Sequence, residues 1–406
     1  MPQISSIFVS NNGLADHIGK AQVMPYLSGL IGNGVAVSAL TVENRQNWQD
    51  PAQVQGIRNS GIAHRPIWRK TGPWARLDRL AMPFRLSNRL DRMIRRDRPS
   101  LLHCRSYMPL PAILAAARRH GLPWIFDMRG FWIDQRIEGG FWDPASPKGR
   151  ALIGRFRKLE SMAFQRAAAI VVLTQDAQAV VQSHPDYRGA PVHVIPCSVD
   201  QSHFRHDPAL RAATRQHLGI APAETVVSYL GSASGLYRMD LVYRFYAALR
   251  ARKGPCRMLF IGNHTAAQHI AAARDIGISL SEDELICTRV PHDQVPALLN
   301  AADMGLSFIV STRSSLGVSA TKVGEYLACG LPVVSNFGIG DIERIVTDGQ
   351  NGAVLRRETD ADIAACADLM AGDLLSRDQI KAGSARTFSL ERATRNYFDI
   401  YKALAT

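Results

Sequence analysis

The residues with the most chemical potential lie between Gly317 and Gly340, in the run GVSATKVGEYLACGLPVVSNFGIG. It reads as a loop, a helix start, a Gly-Leu-Pro break and a strand. Thr321 is the predicted N-cap, with Lys322 and Glu325 in the first turns. A helix N-terminus offers free N–H groups and a positive dipole end, which suits a diphosphate. Lys322 adds a point charge there. Glu325 has no basic sequence neighbour beyond Lys322, so its carboxylate can accept hydrogen bonds from two adjacent hydroxyls of a ribose. The competing reading of this pair is a capping interaction plus a surface salt bridge one turn long.

Three further groups follow predicted strands. Gly231-Ser-Ala-Ser-Gly235 stands between the strand Val226–Leu230 and a helix. Such glycine-rich turns let backbone approach phosphate closely. This one is neither G-x-G-x-x-G nor a Walker A loop. Arg238, just downstream, would balance phosphate charge. The loop NNGLADHIGKAQ (Asn11–Gln22) carries Gly13, Gly19 and Lys20, which would approach the same phosphates from the other half of the chain, or form an ordinary strand-to-helix loop. HCRSY (His103–Tyr107) and FDMRGFW (Phe126–Trp132) both follow strands. They place His103, Asp127 and Arg129 where an acceptor would enter, with Arg105, Tyr107 and Trp132 on the acceptor side. A structural histidine and a simple Asp–Arg pair are the alternatives there.

The elements that must position these residues alternate. Strands are expected at Ile4–Val9, Val35–Leu40, Leu101–His103, Trp124–Phe126, Ile170–Leu173 and Val192–Ile195. Helices are expected at Ala21–Ile31, Leu110–His120 and Leu152–Ala169. The segment Pro196–Pro208 reads as a linker, after which the βα alternation restarts at Thr225–Leu230 and runs to the strand Pro332–Ser335. Ser389–Leu404 closes the chain as an amphipathic helix. This order implies parallel sheets covered on both faces, with ligands at the carboxyl ends of the strands and a cleft between the domains.

The chain has 406 residues, 46% of them hydrophobic and 20% charged, with a formal net charge of +13. That excludes a disordered chain, a fibre and a small disulfide scaffold. No stretch approaches the ~18 apolar residues of a spanning helix. The N-terminus lacks the features of a signal peptide, and the six scattered cysteines form no C-x-x-C pair. A cytoplasmic location is the expectation. Residues 1–200 hold 26 Lys+Arg against 14 Asp+Glu, so nearly all the excess charge lies there. Eleven cations fall between Arg65 and Arg98, interrupted by Trp68, Trp74, Met82 and Phe84. Leu77, Leu80, Phe84, Leu86, Leu90 and Ile94 recur near helical spacing. The pattern suits an anionic membrane surface, or else a solvated Arg-rich helix face. Nucleic acid is not expected, because no recognition motif accompanies the charge.

TKVGEYLACGLPVV, SYLGSASGLYRMD, HCRSY and FDMRGFWIDQRIEGG together resemble the retaining glycosyltransferases of family four, and more narrowly a bacterial branch associated with surface-polysaccharide assembly. The resemblance covers about residues 10–340 and is patchy between Asn44 and Pro99. It implies the GT-B fold: α/β, with two doubly wound Rossmann-like parallel-sheet domains facing across a cleft. The expected domains are 1–200 on the acceptor side and 201–385 on the nucleotide-sugar side. A helix at 386–406 is expected to pack back on the first. By resemblance Glu325 binds the ribose, while Lys322, Gly231 and Ser232 lie near the donor diphosphate. Gly19 touches the donor, and Arg289–His292 lies where backbone holds the base. Thr321 and Arg238 complete the donor set. Asp127, Arg129, His103 and Lys322 are the candidate catalytic residues.

Three departures stand out. The family often carries two glutamates separated by seven residues, and here the earlier position is Gly317. The usual Arg–Lys pair after the second glycine loop is reduced to Arg238. A histidine of the family corresponds in place to Arg129, beside Asp127. Ala320 also stands where the branch tends to have proline. The implied reaction moves a sugar from a nucleoside diphosphate sugar to a hydroxyl of a lipid-linked or membrane-proximal glycan. It would proceed with retention, without metal or cofactor, at the inner face of the membrane. A catalytically silent nucleotide-sugar-binding scaffold and a nucleotide-sugar epimerase are the rival functions. A dehydrogenase is disfavoured, since neither half has the dinucleotide fingerprint.

Overall fold

Short apolar runs separated by amphipathic stretches make strands that are buried on both faces. In the computed structural model, which describes residues 4–233 and 235–405, these runs become two parallel sheets. The chain divides into two units. One comprises the chain up to Pro196 together with the segment from Leu390, and the other is Cys197–Ser389. The break thus falls at Pro196, not at 200, and the second unit runs to Ser389, not 385.

The first unit holds seven strands: β1 (Ser5–Ser10), β2 (Ala36–Glu43), β3 (Ala63–Trp68), β4 (Leu101–Arg105), β5 (Trp124–Asp127), β6 (Ala169–Val172) and β7 (Val192–Val194). Their order is β3-β2-β1-β4-β5-β6-β7. The order reverses between β1 and β4, so the turns after these strands flank the switch point where open α/β sheets bind ligands. The second unit holds six: β8 (Thr225–Leu230), β9 (Cys256–Ile261), β10 (Leu285–Thr288), β11 (Met304–Ser307), β12 (Val333–Asn336) and β13 (Gly352–Leu355). Their order β10-β9-β8-β11-β12-β13 puts the switch point between β8 and β11. Both sheets are doubly wound and Rossmann-like.

Several elements differ from the sequence expectation. The helix foreseen over 21–31 is two helices, His17–Gln22 and Met24–Gly32, because Pro25 has no N–H with which to continue the first. The segment 196–208 is no loose linker. Val199 and Phe204 are buried in the core of the second unit, and Val199 N–H donates to Phe388 O at 2.8 Å. The closing helix, Leu390–Leu404, belongs to the first unit, where Tyr397, Ile400 and Tyr401 are buried in the core. β4 and β5 run on to Arg105 and Asp127, so both charged residues are strand residues.

The basic stretch is a 23-residue helix, Ala75–Asp97. Its apolar residues divide instead of forming one buried face. Leu86, Leu90, Met93 and Ile94 are buried, whereas Leu77, Leu80 and Phe84, with the preceding Trp74, are exposed, Leu80 at 81%.

Candidate functional site

The second unit gathers Lys322, Gly231 and Glu325. Gly231 directly follows β8 with φ +115°, a conformation that L side chains rarely adopt. Its N–H donates to Ile261 O at 2.9 Å, so that amide is spent in the sheet and is not offered to a ligand. What Gly231 provides is space: a Cβ there would stand 3.3 Å from Lys322 Nζ.

Lys322 is 7% exposed and rises between two tyrosines, its Nζ 4.3 Å from the centre of the Tyr229 ring and 4.1 Å from that of Tyr237. The ring faces attract the cation but satisfy none of its N–H donors. Among the described residues Nζ has no hydrogen-bond partner. Burial pushes the ammonium down to about 7, against the opposing pull of Glu325. A buried donor of this kind is costly unless an acceptor is brought to it.

The helix Thr321–Ala328 presents Lys322 and is tightly fixed. Tyr326 stands over Gly305 of β11, where a Cβ would meet the ring at 2.4 Å. The Tyr326 hydroxyl accepts from Leu230 N–H at 2.7 Å. The helix is thus tied to the last residue of β8, one position before Gly231. Ala320, not Thr321, is the N-cap, and no side chain caps this end. Thr321 is the first helical residue.

Glu325 is 4% exposed, and its Oε1 lies 2.7 Å from His292 Nε2. The short turn after β10 delivers this histidine, which sequence distance concealed. The Glu325 carboxylate raises the His292 pKa above its ordinary value, against the effect of burial. Glu325 is therefore held by a partner 33 residues away, and the surface Lys–Glu pair is not formed.

The other predicted donor residues are less concentrated. Arg238 bonds both oxygens of Asp240 at 2.8 and 2.6 Å and reaches Glu358 at 2.6 Å, so two carboxylates already balance its charge. Ser232 is exposed, and its carbonyl accepts from the Tyr229 hydroxyl at 2.6 Å. Arg289 is exposed just after β10. Ser234 of the glycine-rich loop lies outside the described residues. Gly317, where a second glutamate was expected, is buried in the turn Ser314–Gly317.

Gly19 is a packing residue. Its N–H donates to the Asp16 cap at 2.6 Å, and a Cβ would meet Gly13 O at 2.0 Å. Gly13 in turn lies against Glu43, which a Cβ there would meet at 2.1 Å. Glu43 is buried and accepts hydrogen bonds from Thr41, Trp48 and the Leu14 amide, with His64 at 3.3 Å. Burial pushes its pKa up, but His64, Trp48, Thr41 and Leu14 outweigh this and hold it below the ordinary value. Sequence reading missed Glu43, because its partners come from three different segments. Lys20 is exposed.

A second cluster lies in the first unit. Asp127 is 1% exposed at the end of β5. Its Oδ2 faces His103 Nε2 at 3.3 Å, the Tyr397 hydroxyl at 3.2 Å and Arg105 Nη1 at 3.6 Å, and its Oδ1 is 3.9 Å from Arg129. Burial raises the Asp127 pKa, but Arg129, His103 and Arg105 overcome this and keep it below the usual carboxylate value. His103 Nδ1 is 2.7 Å from the Tyr401 hydroxyl. The closing helix, remote in sequence, thus supplies two tyrosines to this cluster.

Above it lies a hollow of about 640 Å³, lined by Arg105, Arg129, Arg136, Trp132, Trp142 and Asn11 among others. Asp127 and His103 do not line it. They are buried behind the two arginines, which corrects their placement as groups facing an acceptor. Tyr107 is also withdrawn. It is fully buried, donates to Glu160 at 2.6 Å and stacks on Trp132 at 5.6 Å from beneath the wall. Arg129 holds φ +57° and shares Gln22 Oε1 with Arg105 at 3.3 and 3.4 Å.

Comparison with known proteins agrees with these two units. Residues 20–198 match the model of the glycosyl transferase 4-like domain, and residues 224–372 match that of the glycosyl transferases group 1. A D-inositol 3-phosphate glycosyltransferase of Nocardia farcinica is 30% identical over 199 residues, 47% of this chain and 41% of that protein. A GDP-mannose-dependent alpha-(1-6)-phosphatidylinositol monomannoside mannosyltransferase of Mycolicibacterium smegmatis is 29% identical over 186 residues, 44% of this chain and 46% of that protein. The chain thus spans less than half the length of these curated relatives. Among solved structures, HepE of Anabaena in complex with UDP-glucose superposes with a TM-score of 0.69 at 14% identity, over 98% of this chain and all of that one. WaaG, a glycosyltransferase involved in lipopolysaccharide biosynthesis, gives 0.66 at 16% identity, over 98% and 99%. At such identities these two likenesses speak for the fold.

Proposed function

We propose, from its matches to two glycosyltransferase domain models, that this chain is a GT-B glycosyltransferase of family four, and that it moves a sugar from a nucleoside diphosphate sugar to a hydroxyl of a lipid-linked or glycan acceptor in surface-polysaccharide assembly. The observation that carries this reading is the Lys322 ammonium, buried against the open face of Gly231 and without a hydrogen-bond partner among the described residues. A diphosphate oxygen is the acceptor it lacks. As the glycosidic bond to the diphosphate breaks, negative charge grows on the leaving oxygen, and a preorganised cation there lowers the barrier. Glu325, fixed through Oε1 by His292, turns its remaining oxygen to the ribose hydroxyls. Thr321 is the first residue of the same helix and stands at its positive dipole end.

In the first unit Arg105 and Arg129 face the acceptor, and Asp127 with His103 act as positioning residues behind them. Retention of configuration and independence of metal are part of the proposal. So is residence at the inner face of the membrane. The Ala75–Asp97 helix supports this last point, since exposed Trp74, Leu77, Leu80 and Phe84 alternate with exposed Arg76 and Arg79. Among the described residues no helix is long and apolar enough to cross a membrane.

The test is calorimetry of the full chain with UDP, GDP, dTDP and their sugars. One nucleoside diphosphate is expected to bind, and Lys322→Ala to weaken it at least about tenfold, as for loss of a hydrogen bond to a charged group. Failure of every nucleoside diphosphate to bind would overturn the reading. The alternative, a silent nucleotide-sugar-binding protein, is favoured by Gly317 in place of a glutamate. It predicts that adding acceptor releases no free nucleotide from the donor.

A further inference from the structure

Lys322 Nζ is covered on several sides. The centre of the Tyr229 ring lies 4.3 Å from it and that of the Tyr237 ring 4.1 Å, and Gly231 borders a third side, where a Cβ would come to 3.3 Å. The two rings meet edge to face, with 6.3 Å between their centres. The ammonium is sealed from solvent, so no anion reaches it until one of these covers moves. A charge-assisted hydrogen bond needs a phosphate oxygen within about 2.7–2.9 Å of the nitrogen, in space that a ring face now shields.

The three covers are not equally free. Gly231 is held through its backbone. Its N–H donates to Ile261 O at 2.9 Å, and its carbonyl lies so near Gly262 that a Cβ there would meet it at 2.5 Å. Tyr229 is a strand residue, 1% exposed, that packs on Phe260 and donates its hydroxyl to Ser232 O at 2.6 Å. Moving it would break that hydrogen bond and leave a void in the core. Tyr237 is half-buried, and its hydroxyl has no hydrogen-bond partner among the described residues. Its backbone, by contrast, is fixed on both sides. Val310 N–H donates to Leu236 O at 2.8 Å and Arg238 N–H to Phe308 O at 3.1 Å, an antiparallel contact across the switch point between β8 and β11. Arg238 is tied further to Asp240 and Glu358. The ring therefore leaves by rotation of its own side-chain torsions while the main chain stands still.

We propose that Tyr237 is the residue that admits an anion to Lys322: its ring turns aside, the diphosphate of the donor takes its place on the ammonium, and the pinned backbone does not move. The diphosphate in this statement rests on the transferase reading; the cover over Lys322 does not. Tyr237 acts through Lys322 and is a positioning residue. Phosphate oxygens give the ammonium the hydrogen-bond acceptors that ring faces cannot offer, so the ligand displaces the ring and the ring returns when the ligand leaves.

Acetylation of the full chain by an amine-reactive ester, followed by peptide mass spectrometry, reads the cover without any nucleotide. In the wild type Lys322 is expected to react at least about tenfold more slowly than the exposed Lys148, as for a group that reacts only through local opening. Tyr237→Ala is expected to bring Lys322 close to the rate of Lys148. Tyr237→Phe, which keeps the ring, is expected to leave it slow. Tyr237→Leu replaces the alanine variant if that protein unfolds at the assay temperature. Stopped-flow mixing with the nucleoside diphosphate that binds is expected to show severalfold faster association for Tyr237→Ala and no change for Tyr237→Phe. A packing role alone would lower the melting temperature and leave both rates unmoved. Lys322 as reactive as Lys148 in the wild type, Lys322 still slow in the alanine and leucine variants, or association no faster in them each overturns the proposal. If no nucleoside diphosphate binds while Tyr237→Ala still unmasks Lys322, the donor reading falls and the cover over Lys322 stands.

Discussion

At the scale of single residues, Lys322 has a thermodynamic signature. In the unfolded chain an ammonium stays charged up to 10.5, whereas in the fold it does so only to about 7. Between these values the folded protein binds fewer protons, so this group makes stability rise with pH across that window. Lys322→Met removes the burial cost. It is expected to stabilise the protein by an amount on the order of a few kcal/mol below pH 7, a gain that fades toward pH 10.5. Thermal unfolding of both proteins across that range checks this, and a difference independent of pH refutes the buried ammonium. Glu325 yields a second expectation. Glu325→Ala removes the proposed ribose acceptor and leaves His292 without its partner at 2.7 Å. Nucleotide affinity is expected to fall at least about tenfold. Unchanged affinity by calorimetry rejects the ribose role.

At the scale of elements, the site depends on how one short helix is seated. Gly305 lets the Tyr326 ring lie flat on β11, and the Tyr326 hydroxyl accepts from Leu230 N–H. Tyr326→Phe leaves that buried N–H unsatisfied and is expected to cost about 1–3 kcal/mol of stability. Because Leu230 precedes Gly231, nucleotide affinity should fall as well. A denaturant titration showing no loss of stability would mean that the helix is anchored by packing alone. The glycines Gly13 and Gly19 teach the same lesson from the other unit. Their spacing looked like a phosphate loop, but what they permit is the approach of Glu43 and of their own backbone.

At the scale of the whole molecule, charge is the property that matters most. The excess of +13 is carried almost entirely by residues 1–200. Within it, Arg95 bonds Asp91 at 2.8 Å and Arg96 bonds Asp97, so those cations are partly neutralised. The free charge and the exposed apolar side chains coincide at the start of the Ala75–Asp97 helix. Replacing Leu80 and Phe84 by Ser is expected to reduce sedimentation with anionic vesicles severalfold. Raising salt from about 0.1 M to about 1 M, which shortens the screening length from ~10 Å to ~3 Å, is expected to weaken the wild-type binding. Equal sedimentation of variant and wild type, or binding indifferent to salt, removes the membrane role.

The alternation of short apolar runs with amphipathic stretches was enough to specify two parallel α/β sheets, because local periodicity and burial on both faces are properties of adjacent residues. The pairing of Lys322 with Gly231 was legible for a related reason: both stand at strand-to-helix turns, and parallel topology gathers such turns at one end of a sheet. The edge strands β3 and β13 were not legible, since AHRPIW is only partly apolar and GAVL has just four residues. Only tertiary structure decided who pairs with whom across long intervals. It brought His292 to Glu325 and Glu358 to Arg238, set Tyr397 and Tyr401 on Asp127 and His103, and withdrew Tyr107 to Glu160. A charged side chain takes the nearest partner in space, and once the chain has folded that neighbour is seldom near in sequence.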